Sequence, residues 1–210
     1  MTPRTILVAD DHPLFRQALK LAIGRAAPDA TVLEAGQLHE ALEQAAAAPR
    51  LDLVTLDLRM PGADGFSGVA QLHAERPGTP ILVVSSADAA EAAHRARAYG
   101  ATGFVSKTAE LAELERAVAR ALDGVADPLP EPTGDAPSDI ATRIASLTPT
   151  ELKVLTGVMA GKLNKQIAFQ LSVSEATVKG HMTAILRKLG VLNRTQAVLA
   201  ARTLDLAIED

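Results

Sequence analysis

The polar and apolar positions of this chain change period along its length. In the first 122 residues, short apolar runs occupy 4–9, 30–35, 51–57, 80–85 and 103–107. Between and after them, apolar positions recur at helical spacing near 13–26, 37–48, 65–75, 89–99 and 110–122. A period of two marks a strand and one of about 3.6 marks a helix. Ile81-Leu82-Val83-Val84 is apolar without interruption, the pattern of a strand covered on both faces. Five strands, each followed by a helix, predict an α/β unit with a doubly wound, five-stranded parallel sheet.

Residues 123–146 fit neither period. Asp123-Gly124 is followed by Pro128, Pro130, Pro132, Gly134 and Pro137. Proline fixes φ and removes backbone donors, so this stretch is predicted to be a linker, with a short helix starting near Ser138. From Leu147 the pattern is all helical. Thr148-Pro149-Thr150-Glu151 supplies a cap, a proline at the first helical position and the distal partner of a capping box. Leu147 and Leu152 occupy the two staple positions. Further helices are predicted near 164–171, 174–189 and 193–203. The expected organisation is thus 1–122, a linker 123–146, and a small all-α domain 147–210.

Composition narrows the chemistry. A length of 210 residues suits two modest domains. Hydrophobic residues make up 48% but aromatics only 2%, so Leu, Val, Ile and Ala must build the cores. The absence of Cys excludes a disulfide scaffold and thiolate metal sites. The four-residue apolar run from Ile6 to Ala9 is too short for an export signal, and no stretch reaches the ~20 apolar residues of a membrane span. A cytoplasmic, membrane-free protein is expected. Net charge is −4, unevenly placed: residues 1–137 carry −7 and residues 138–202 carry +6. That asymmetry points the second half, and only the second half, at a polyanion.

The strand ends carry the chemistry of the first half. In an open parallel sheet the C-terminal strand ends form the binding crevice. Here the first run ends in Asp10-Asp11, the third in Asp57, the fourth in Ser85 and the fifth in Lys107. Singly, each reads equally well as a cap, a turn residue or a solvated strand end. Together they suit phosphoryl capture. Clustered carboxylates repel one another, which Mg²⁺ relieves. A carboxylate can form an aspartyl phosphate, and cation and ammonium offset the charge of the transferring group.

Residues 4–122 resemble the receiver domain of two-component response regulators. The resemblance rests on Ile6-Leu7-Val8-Ala9-Asp10-Asp11-His12-Pro13, Leu56-Asp57-Leu58-Arg59-Met60-Pro61, Val83-Val84-Ser85 and Gly103-Phe104-Val105-Ser106-Lys107. It implies a flavodoxin-like sheet of order 2-1-3-4-5 with Asp57 as phosphoacceptor. Mg²⁺ is then held by Asp11, Asp57 and the main-chain carbonyl of Arg59, with Asp10 assisting through water. Ser85 is the implied switch hydroxyl, Lys107 the phosphoryl contact and Phe104 the switch aromatic, although Phe104 reads equally as core. The chain is expected to accept and slowly lose its own phosphoryl group without turning over a separate substrate. Thr108 departs from the proline that many receivers carry after the lysine.

In the second half, Asn164-Lys165-Gln166-Ile167-Ala168 and Ser174-Glu175-Ala176-Thr177-Val178 read as two helices joined by Ser172-Val173, a helix-turn-helix. Residues 147–198 resemble the LuxR-type helix-turn-helix of NarL/FixJ-type regulators. Leu147-Thr148-Pro149, Thr177-Val178-Lys179-x-His181 and Arg187-Lys188-Leu189-Gly190 carry this match. It implies double-stranded DNA as ligand, with Lys179, Gly180 and Thr183 at base-reading positions. Lys165, Ser174, Thr177 and Lys188 match backbone-contacting positions. It also implies a dimerisation helix after Asn193, with Ala197, Val198 and Ala201 as its small apolar face, a sensor histidine kinase as partner and a homodimer when active. Ser172 replaces the usual turn glycine, where a positive φ would be strained, and Gly180 offers no side chain to read bases.

Two alternatives remain at this level. A phosphorylation-independent DNA-binding regulator would use its first half only to dimerise or to bind a protein. An aspartyl-phosphate hydrolase would need Asp-x-Asp on the first strand, where this chain has Asp10-x-His12.

Overall fold

The computed structural model describes residues 3–63, 65–86, 89–126 and 139–202. The predicted linker's residues 127–138, with the predicted helix start at Ser138, and the tail from 203 to 210 lie outside the described residues.

The first unit alternates β1 (Thr5–Ala9), α1 (Pro13–Ala26), β2 (Thr31–Ala35), α2 (Leu38–Ala47), β3 (Leu53–Leu56) and α3 (Ser67–Glu75). It continues with β4 (Ile81–Ser85), α4 (Ala89–Ala98), β5 (Gly103–Ser106) and α5 (Leu111–Leu122). All strand pairs are parallel, in the order β2-β1-β3-β4-β5. Strand side chains alternate between two apolar layers. Ile6, Val8, Leu82, Val84 and Val105 face Leu19, Ile23, Leu114 and Val118 of α1 and α5. Leu7, Val54, Leu56 and Val83 face Leu38, Val69, Leu72 and Ala96 of α2, α3 and α4. Leu, Val, Ile and Ala supply most of these residues, as the low aromatic content requires. The main aromatic contribution is the stacked pair Phe66–Tyr99, 5.8 Å between centroids.

The second unit comprises α6 (Asp139–Ala145), α7 (Pro149–Met159), α8 (Asn164–Leu171), α9 (Glu175–Leu189) and α10 (Arg194–Ala201). Thr148 and Glu151 form the full capping box: Glu151 N donates to Thr148 Oγ1 at 3.3 Å and Thr148 N to Glu151 Oε2 at 2.8 Å. Leu147 and Leu152 are both buried beside it. α7 and α8 meet at Gly157, where a Cβ would lie 2.9 Å from the Ile167 side chain and force it to shift. Helix α6 falls inside the stretch read as linker. Its Ile144 is buried, Arg143 Nη1 donates to the Leu189 carbonyl at the end of α9 (3.0 Å), and α6 packs on α9. Structurally it belongs to the helical unit. It also lies against α3 and α4 of the first unit, and α7 lies against α3.

Two further sequence readings change. Ala197 and Ala201 of α10 are buried in the unit's own core, so they offer no free face; the exposed apolar residues there are Leu192 and Leu199. Lys188 is not a free cation. Its ammonium donates to Glu151 Oε2 at 2.6 Å and to the Ser146 carbonyl at 3.1 Å, tying α9 to the start of α7. Burial works to raise the Glu151 pKa, but Lys188 and the Thr148 N–H outweigh it and hold the carboxyl below its ordinary value.

Ser172 does adopt the left-handed conformation its position demanded, with φ 53° and ψ 40°. It is the one non-glycine residue with positive φ among the described residues. That conformation costs about 1–2 kcal/mol for a residue with a Cβ, and glycine's extra freedom when unfolded returns about 0.4–1 kcal/mol of that. Ser172→Gly should therefore raise stability by about 0.5–1 kcal/mol, measured by urea unfolding. The Glu151–Lys188 pair sets a pH dependence. Because the folded-state pKa of Glu151 is depressed, its contribution is complete above the unfolded value of about 4.3 and is lost as pH falls through the folded value. The stability gap between the native chain and Glu151→Gln, read by the same unfolding experiment, should be wide at neutral pH and close under acid.

Candidate functional site

Strands β1, β3 and β5 end at one edge of the sheet, and the residue after each end carries charge. Asp10 follows β1, Asp57 follows β3 and Lys107 follows β5, while Ser85 closes β4. Main-chain bonds hold these ends in register. Asp57 N donates to the Ala9 carbonyl (2.9 Å), Asp10 N to Ala35 (3.0 Å) and Lys107 N to Ser85 (2.9 Å). Asp10, Asp57 and Ser85 are all but inaccessible, with 0, 2 and 0% of their surfaces exposed.

The side chains converge. Lys107 Nζ donates to Asp57 Oδ2 at 2.8 Å. It also lies 2.7 Å from Asp10 Oδ2 without hydrogen-bond geometry, leaving that buried oxygen without a bonded partner. The same ammonium sits over the Phe15 ring, 5.0 Å from its centroid. Asp57 Oδ1 accepts from the main-chain N–H of Arg59 at 3.1 Å. His12 Nδ1 stands 2.6 Å from Asp11 Oδ1, and the His12 N–H donates to Asp10 Oδ1 at 2.8 Å. One ligand atom each from Asp10, Asp11, His12 and Asp57 lies within 4.8 Å of the others.

Three carboxylates thus cluster around one ammonium, which pairs directly with the two buried ones, Asp10 and Asp57. An excess of buried negative charge is costly unless compensated. Hard oxygen donors, one of them buried and not hydrogen-bonded, suit a hard divalent cation such as Mg²⁺. Of the residues predicted from sequence, Asp10, Asp11, Asp57 and Lys107 are brought together; Ser85 stands buried at the end of β4, and Arg59 gives Asp57 its main-chain N–H rather than a carbonyl. Phe104 on β5 is half-buried and packs on the α4 side of the core. The Thr108 departure is accommodated locally: Thr108 Oγ1 pairs with Ser106 Oγ at 2.8 Å, and no described peptide bond is cis.

Sequence reasoning gave no role to His12, Phe15 or Arg16, which complete the pocket's wall. Arg16 Nη1 donates to the Asp10 carbonyl at 2.8 Å. The available signal was their spacing: the first turn of α1 directly follows the acidic pair.

The second surface lies on α8 and α9. Val178, Ile185 and Leu189 turn α9's apolar stripe inward. Lys179, Gly180 and Thr183 are exposed on α9, as are Lys165 on α8 and Ser174 and Thr177 at the α9 start. Ser174 Oγ caps α9 by accepting from Thr177 N at 3.0 Å. Thr183 donates its hydroxyl to the Lys179 carbonyl (3.1 Å), one turn back on α9. A Cβ on Gly180 would meet no atom within 4 Å, so packing within the chain does not require glycine there. His181 is half-buried, in keeping with a packing role. Among the described residues no helix is long and apolar enough to cross a membrane.

Comparison with known proteins agrees with both halves. Residues 6–119 match the response regulator receiver domain, and residues 145–201 match the luxR family of bacterial regulatory proteins. The chain is 38% identical to the glycerol metabolism activator of Pseudomonas putida, over 95% of this chain and 96% of that one. It is 33% identical to the nitrate/nitrite response regulator NarL of Escherichia coli K12, over 94% of each. The response regulator RcsB of Salmonella typhimurium shares the fold at 21% identity and a TM-score of 0.55, over 97% of this chain and 100% of that one. The chain belongs to the two-component response regulators that join a receiver domain to a luxR-type DNA-binding domain and regulate transcription.

Proposed function

We propose that Asp57 accepts a phosphoryl group from a sensor histidine kinase, and that this modification promotes dimerisation and operator binding. The observation that carries the reading is the cluster of Asp10, Asp11 and Asp57 at the ends of β1 and β3, with Asp10 and Asp57 buried and both paired with Lys107 from the end of β5. Asp10, Asp11 and Asp57 would hold Mg²⁺, with the Arg59 main chain as a further donor. Bound there, the cation supplies positive charge against the transferring phosphoryl group.

The chain's own groups do the rest. An Asp57 carboxylate oxygen forms a bond to phosphorus as the donor histidine's P–N bond breaks, and the electron pair leaves with the imidazole. The Lys107 ammonium, already on Asp57 Oδ2, offsets the new charge. The buried Ser85 hydroxyl donates to a phosphoryl oxygen, and Phe104 on the neighbouring strand follows it inward. Each copy accepts and slowly loses one group, with no separate substrate turned over. The change reaches the helical unit through α3 and α4, which lie against α6. It acts by shifting a population toward the state that phosphorylation stabilises more.

On DNA, α9 enters the major groove. Lys179 and Thr183 meet base edges, Gly180 allows close approach, and Lys165, Ser174 and Thr177 hold the phosphates. A two-fold site would be read by a dimer with α10 at its interface, where Leu192 and Leu199 supply the exposed apolar contact.

A small phosphodonor with Mg²⁺ should add one phosphoryl group to the native chain and none to Asp57→Ala, by intact-mass measurement. Light scattering should show dimer only for the modified chain; a modified chain that stays monomeric and gains no operator affinity defeats the proposal. For the DNA surface, Lys165→Ala should lower the slope of log K against log salt by about 1 for any sequence. The double variant Glu151→Gln with Lys188→Met should leave that slope unchanged, because the Lys188 charge is already committed within the protein.

A further inference from the structure

Arg16 lies in the first turns of α1, beyond the carboxylates that would bind a cation, yet its guanidinium reaches back to them through the backbone. Nη1 donates to the Asp10 carbonyl at 2.8 Å while Nε donates to Glu34 Oε2 at 3.0 Å. Glu34 sits on β2, paired in register with Val8 of β1. It also accepts from Lys20 Nζ at 2.6 Å, and its main-chain carbonyl accepts from Gln44 Nε2 at 2.7 Å. Glu34 is thus anchored from α1 and α2. The Lys20 bond, together with Arg16 and against the effect of burial, holds its carboxyl below the ordinary pKa, so it stays charged beside Arg16.

The geometry points to Arg16 as a positioning residue for cation binding, acting on Asp11 through the Asp10 peptide. This rests on the reading of the pocket as a metal-assisted phosphoacceptor. The Asp10 carbonyl and the Asp11 amide belong to one planar peptide unit. Fixing that carbonyl fixes the plane from which the Asp11 Cα, and so its carboxylate, departs. The rest of Asp10 is already held. Its N–H is on Ala35, and its Oδ1 accepts from His12 N. The Arg16 bond fixes the peptide leading into Asp11, whose carboxylate also meets His12 Nδ1 at 2.6 Å.

A guanidinium suits this task because its planar fork makes two bonds in fixed directions, whereas an ammonium on a flexible stem does not. Without it, a carbonyl at the base of the pocket loses its partner and the loop can reorient. Asp11 would then meet a cation from a spread of orientations, with the cost of ordering it charged to binding. Groups that orient ligands in this way typically govern metal affinity by about 10–100-fold.

The test uses the full chain and Mg²⁺ itself, by isothermal titration calorimetry. Phosphorylation by a small phosphodonor is followed across Mg²⁺ concentrations, with circular dichroism to establish folding. Arg16→Met should weaken Mg²⁺ binding about tenfold and raise the half-saturating Mg²⁺ concentration equally, with the rate at saturating Mg²⁺ little changed. Arg16→Lys, which keeps the charge but not the fork, should behave like Arg16→Met. Lys20→Met, which removes only the other Glu34 partner, should match the native chain. Native affinity in a folded Arg16→Met protein, or full rescue by lysine, overturns the inference. Should Arg16→Met fail to fold, Glu34→Gln decides, with weaker Mg²⁺ binding supporting the clamp and native binding overturning it. A native chain that binds no Mg²⁺ removes the reading of the pocket itself, a result separate from the variant comparison.

Discussion

Burying carboxylates is the constraint around which the first unit is organised. Asp10 and Asp57 sit at the end of a sheet whose buried residues are mostly apolar, and an isolated charge there would be strongly unfavourable. Lys107 makes the arrangement tolerable by lying within 2.8 Å of both. That requires β1, β3 and β5 to end level with one another, hence parallel strands, crossover helices and the order in which β1 and β3 are central neighbours. One ammonium cannot match three carboxylates. The pocket is left electrostatically incomplete, an imbalance that a hard divalent cation would relieve.

The two halves use charge in opposite ways. In the first, acidic groups are drawn inward and held by few partners. In the second, basic groups remain outside on α8 and α9, except where the fold needs one. Lys188 is that exception, neutralising Glu151 so that the capping carboxylate of α7 can be buried. A residue of the right type at a DNA-facing motif position thus serves the protein's interior.

What was legible in the sequence follows from the range of the interactions involved. Strand and helix periods depend on neighbours in sequence, so the five-stranded unit and its strand-end residues could be read directly. The Thr148–Glu151 box and the strained Ser172 are equally local, and both stand where the pattern placed them. The errors involve contacts far apart in the chain. Nothing near Lys188 announces Glu151, 37 positions away. Ala197 and Ala201 have the spacing of an apolar face, but spacing does not say whether that face meets the protein's own core or a second copy. A short helix near Ser138 was legible, but not that its seven residues, α6, pack on α9 and belong to the helical unit. The Arg16 contact is of the same kind, since it joins α1 to Glu34 on a different element, 18 positions away.

Helix α9 is held at its far end by α6: Arg143 binds its last carbonyl region and Lys188 reaches back to Ser146. The reading head is therefore welded to the segment that follows the first unit. It cannot tilt or slide away from that segment without breaking those bonds. Regulation and recognition become separable problems. The exposed residues of α9, Lys179, Gly180 and Thr183, can change without touching the bonds that join its far end to α6. One signalling half could in this way serve many operators.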